Sequence, residues 1–100
     1  MIATRLMQFT KRLRQGVREG RITCSVRIWQ SPRVRAGGLY PMEGGHILVE
    51  SIRQIALSDL DGDLARRSGF DGVIDLLKVA KHGSGRNVYL VEFEFIPASG

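Results

Sequence analysis

One hundred residues, 43% of them apolar and 25% charged, suit one ordinary globular domain and exclude a disordered or fibrous chain. No apolar run is long enough to span a bilayer, and the opening MIATRLMQFTKR is interrupted by Arg5, Lys11 and Arg12, so neither a membrane span nor a secretory core is expected and the chain is placed in the cytoplasm. The net charge of +5 is held unevenly: residues 1–35 carry nine Lys or Arg against the acid Glu19, whereas the other 65 carry six basic and nine acidic side chains. A field concentrated in this way favours a polyanionic partner, nucleic acid first and an anionic membrane surface second, although a solvated face carries charge as well. The single Cys24 can form neither an internal disulfide nor a zinc site with a second cysteine.

In chain order, Leu6, Phe9, Leu13 and Val17 recur at steps of three or four, which predicts an amphipathic helix over 4–18 that ends near Gly20. Residues 22–29 alternate Ile22, Cys24, Val26 and Ile28 with Thr23, Ser25, Arg27 and Trp29, the period of a strand. Pro32, Gly37, Gly38 and Pro41 predict a loop with a short strand at 39–42. After the Gly44–Gly45 turn, Ile47 and Val49 share one side while Ile52 and Ile55 break the phase, which predicts a bulged strand near Ser51. Ser58 or Asp59 is expected to cap a short helix through Arg67 that stops at Gly69, and Asp71 to cap another that ends before Gly83. Tyr89, Val91, Phe93 and Phe95 alternate with Glu92 and Glu94 in a closing strand. The order α, β, β, β, α, α, β predicts a single α+β domain over 1–100, a small bent mixed sheet or β-barrel flanked by about three α-helices.

The stretch GRITCSVRIW carries most of the candidate chemistry. On a strand Thr23, Ser25 and Arg27 project from one side about 7 Å apart, over a frame anchored by Val26 and Ile28. Such a row can be a binding platform, with Arg12 and Arg21 beside it, or it can face solvent with Arg27 lying over Trp29 or paired to Glu50.

The segment RLRQGVREGRITCSVR resembles the signature of the ASCH domain, a PUA-like small barrel: Gly20, Thr23, Ser25 and Arg27 stand where that motif has its glycine, hydroxyl and arginine positions. VRAGGLY, ILVESIRQIALSDL and VYLVEFEFI are similar to the family's following loop, long strand and closing strand, so the resemblance covers nearly the whole chain. It implies a PUA-like barrel that binds RNA, with ribonuclease activity on single-stranded RNA in some members. Other members hydrolyse N4-acylated cytidine with a lysine, a hydroxyl residue and a glutamate; here the hydroxyl would be Ser25, but Ile22 occupies the lysine position and DLARRSGFDG contains no glutamate. A serine without a base is a poor nucleophile, which disfavours that chemistry. Gly38 also stands where the family's loop has aspartate.

The expected partner is therefore single-stranded RNA, with Arg12, Arg21, Thr23, Ser25 and Arg27 contacting phosphates or bases, Trp29 or Tyr40 stacking a base, and Lys78, Lys81 and His82 forming a second wall with Arg86. Lys78, Lys81 and His82 also suit the end of a helix, where cations complement the dipole. Core packing is an equal reading for Trp29. Cys24 falls on the apolar side of its strand, where a small buried hydrophobe is expected. No cofactor is expected; Mg²⁺ enters only if the RNA is also cut, and Asp59, Asp61 and Asp63 are its nearest acidic group. A nucleoside-binding pocket around Ser25 and Arg27 is the alternative from another class.

Overall fold

The computed structural model describes residues 7–80 and 85–98. Its elements are α1 (Lys11–Arg18), β1 (Cys24–Trp29), β2 (Leu39–Met42), β3 (Gly45–Ile55), α2 (Gly62–Arg67), α3 (Val73–Ala80) and β4 (Asn87–Pro97), with a 3₁₀ turn at Leu57–Asp59. The order is the one the sequence predicts. The four strands form an open sheet in the order β1-β4-β3-β2 with every pairing antiparallel, so the parallel pairing of a mixed sheet does not occur among the described strands. No helix among the described residues is long and apolar enough to cross a membrane.

The first helix is shorter than its periodicity suggests. It starts at Lys11, while residues 7–10 form a turn and an extended stretch that buries Met7 and Phe9. Phe9 leaves the helical stripe because the sheet offers it a better partner: its ring lies 5.4 Å from that of Phe93. Leu13 and Val17 keep the stripe, and the helix stops where Gly20 takes a φ of +78°, a conformation glycine adopts without strain. Leu6 lies outside the described residues.

β3 carries the expected bulge. Val49 faces Phe93 but Ser51 faces Glu92, so Glu50 is the extra residue. The shift returns Ile52 to the face of Ile47 and Val49, and sends Ile55 to the opposite face beside Val88. Both faces of the sheet are thus apolar near its centre: Val88 to Val91 and Phe93 of β4 are all buried. Phe9 covers the Phe93 face. On the other face the α2 end reaches β1, where Cys24 Sγ and Ser68 Oγ are 3.5 Å apart and both residues are buried. Cys24 is the small buried group its position predicts.

The helix starts differ from expectation. Neither Ser58 nor Asp59 caps α2; Asp59 closes the 3₁₀ turn by accepting from the Ala56 N–H at 2.9 Å, and Asp61 is the cap, its Oδ1 accepting from the Leu64 N–H at 2.8 Å. Pro-free Leu57–Leu60 is tightened by the Leu60 N–H bond to Leu57 O, which ends one turn before the next can begin. In α3 the Leu76 N–H bonds to Gly72 O, and Asp71 contributes its N–H to the Asp75 carboxylate instead of a cap. Asp61→Ala is expected to cost about 1 kcal/mol, read as a lower midpoint in urea unfolding with an unchanged slope.

Candidate nucleic-acid interface

β1 is an edge strand, and a groove of about 490 Å³ runs along it. Gln8, Phe9, Thr10 and Arg14 wall it from the N-terminal segment and α1, Arg33 from the loop after β1, and Phe70 and Val79 from the helical side, with Ser25 to Trp29 along its floor. Three arginines line it and no acidic side chain does. The cleft lies between the first helix and the first strand, where the sequence puts the site.

Arg27 is its centre. Its Nε donates to Ser25 Oγ at 2.7 Å, and its guanidinium lies 4.9 Å from the Phe9 ring centroid. Neither Trp29 nor Glu50 partners it, and no carboxylate pairs with it among the described residues. The row it belongs to is not a solvent face: Ser25 is 9% exposed and Arg27 is half-buried, because the Phe9 segment lies over that side of the strand. Burial lowers the Arg27 pKa well below the ordinary guanidinium value, to about 10, so the group remains a cation at neutral pH but an incompletely compensated one. The residue lines the groove. Arg14 is also fixed, its Nε donating to Phe9 O at 3.0 Å.

The structure brings Ser25, Arg27 and Trp29 together in this groove and leaves Arg12, Arg21, Thr23, Tyr40 and Lys78 outside its lining. Arg12 is ion-paired to Asp75 and stacks over Phe70 at 5.0 Å; the Asp71 N–H first, and then Arg12, hold the Asp75 carboxyl below the usual carboxylate range. Arg21 pairs with Glu19 at 2.7 Å in an exposed bridge, and the bonds from Gln15 and then Arg21 lower the Glu19 pKa. Thr23 is exposed just ahead of β1. Tyr40 sits on β2, at the far edge of the sheet, where its hydroxyl accepts from the Arg35 N–H at 3.0 Å. Trp29 is 8% exposed with its ring 6.0 Å from Tyr89, so core packing takes most of its surface. Lys78 and Arg86 are exposed and outside the lining, and Lys81 and His82 lie outside the described residues.

Sequence reasoning missed Phe9, Arg14 and Arg33. Phe9 was hidden by its place in a helical stripe it does not join, and Arg33 by an aperiodic loop. Arg14 carried a usable signal, since it stands in the first turn of the basic helix, close behind Phe9. Asp59 and Asp61 are engaged with main chain as described, and among the described residues no three His, Cys, Asp or Glu side chains gather as a metal ion requires. No protein-family model, curated protein or solved structure matches the chain.

Proposed function

We propose that the groove beside β1 binds single-stranded RNA, and that the protein is a cytoplasmic RNA-binding domain of the ASCH type with a PUA-like ancestry. The observation that carries this reading is Arg27: a guanidinium held in place by Ser25 and Phe9, without a carboxylate partner, opening on a cleft whose other charges are also arginines. A buried charge lacking a counter-ion is costly unless a ligand supplies one, and phosphate matches the fork of an arginine bidentately. The groove volume falls in the range that holds a small ligand, which suits one nucleotide unit of a chain whose neighbours lie outside.

The same volume favours a second reading, capture of a single nucleoside. Hydrolysis is not supported at Ser25, because its Oγ accepts from Arg27, a group that cannot take up the serine proton.

A titration of labelled single-stranded RNA octamer against salt separates the two readings. Three arginines engaging three phosphates give a slope of about −2 in log K against log salt, roughly a fifteenfold loss between about 50 and about 200 mM. Absence of binding to the octamer together with thermal stabilisation by cytidine or uridine overturns the RNA reading in favour of the nucleoside.

A further inference from the structure

A second hollow, of about 420 Å³, lies between residues 7–9 and the end of β2. Gln8, Phe9 and Arg14 line it and the β1 groove alike, so the two cavities adjoin across these three residues. Arg14 is fixed at that border by the bond from its Nε to Phe9 O. A single-stranded chain that leaves the groove past Arg14 therefore meets a second walled space.

The far wall of this space differs in chemistry from the groove. It comes from β2 and the turn after it: Pro41, the half-buried Met42 and the exposed Glu43. Glu43 is the first of the two residues in the turn that the Met42↔Gly45 pair closes, and the Ala98 N–H bonds to the Gly44 carbonyl at 2.8 Å, which ties the turn down on its other side. Arg18 Nη1 lies 4.0 Å from Glu43 Oε1, and the carboxylate accepts no hydrogen bond among the described residues. An anion at this place repels phosphate and attracts a neutral group rich in N–H donors.

Resting on the RNA reading above, we infer that this hollow is the subsite for the neighbouring base of the same strand, that Glu43 selects guanine there, and that Arg14 holds the phosphate between the two subsites. Guanine is the one common base with adjacent donors, its imino and amino N–H groups, on the Watson–Crick edge, and a carboxylate offers a pair of acceptors to match them. Adenine and cytosine place an acceptor beside their amino group, and uracil flanks its N–H with carbonyls, so each sets an acceptor against the carboxylate. Met42 supplies a polarizable thioether for the ring, a contact open to any base, and the discrimination therefore rests with Glu43. The arginines of the β1 groove contribute affinity and position, and the second hollow contributes sequence preference.

Titration of the whole protein with single-stranded RNA octamers tests this: octauridylate, and the same strand with guanosine, inosine or adenosine at one central place. The guanosine strand is expected to bind about tenfold more tightly than the adenosine strand, the worth of hydrogen bonds to a charged group, and inosine, which lacks the amino group, falls between them; comparing purines removes stacking area from the difference. Glu43→Gln, an exposed turn substitution whose unfolding midpoint checks its fold, binds octauridylate at least as tightly as the natural chain because an anion is gone, while its preference for guanosine over adenosine falls below about threefold. If the natural chain binds the guanosine and adenosine strands equally, or if Glu43→Gln keeps the whole guanosine preference, the guanine subsite is overturned while RNA binding stands. If no octamer binds, the RNA reading itself falls and takes the subsite with it.

Discussion

Arg27→Met is expected to keep its fold and lose its ligand. RNA affinity falls about ten- to a hundredfold, the usual worth of a hydrogen-bonded contact to a charged group, whereas Arg12→Ala, which removes a cation already paired to Asp75, changes it by less than about threefold. Thermal stability of Arg27→Met equals that of the natural chain or exceeds it by up to about 2 kcal/mol, because methionine fills the same space over Phe9 without the desolvated charge, and the vacated Ser25 hydroxyl offsets part of the gain. The pH range of this gain follows from the direction of the shift. Burial lowers the Arg27 pKa to about 10 in the folded chain, below its unfolded value, so the charged form is disfavoured by folding wherever both states are protonated. The penalty is whole at neutral pH and fades only as pH rises through about 10. Parallel melting curves and RNA titrations check both halves: a variant that loses stability and affinity together would make Arg27 a structural residue.

Phe93→Ala has the largest expected effect on stability. Phe93 is 1% exposed, packs against the tilted Phe9 ring and faces Val49 at the last residue before the bulge, so truncation leaves a cavity where three parts of the fold meet. A loss of about 3–5 kcal/mol is expected, against a total of about 5–15 kcal/mol for a domain of this size. Urea unfolding measures it. Because Phe9 is the shelf beneath the Arg27 guanidinium, the variant also weakens RNA binding at temperatures where it remains folded, and the two losses together distinguish it from Asp61→Ala, which lowers stability alone.

Much of this was legible from residue patterns. The alternation of Tyr89, Val91, Phe93 and Phe95 with Glu92 and Glu94 in β4 and the broken phase of Ile47, Val49, Ile52 and Ile55 determine a strand and a bulge through side-chain geometry that is local to each segment, and both occur where expected. A groove lies between the first helix and β1, the region to which charge and the hydroxyl–arginine row direct attention. What escaped was decided by contacts between distant segments. The helical spacing of Phe9 is genuine, yet a ring 84 residues away in the chain captures it. Asp61 outcompetes Asp59 as a cap because Asp59 is already committed to Ala56, a choice that no single-residue preference can anticipate. Arg12 and Arg21 look like free cations in the sequence, but each finds an acid within reach once the chain is folded.

Glu50 illustrates a different kind of information. It is exposed, its side chain makes no hydrogen bond or ion pair among the described residues, and it occupies the one position in β3 that has no opposite number in β4. Its chemical identity is therefore dispensable, whereas its existence is not: without that increment of chain, every side chain from Ser51 to Ile55 would exchange inside for outside. The residue serves as a spacer, and selection at such a site acts on length and is indifferent to spelling.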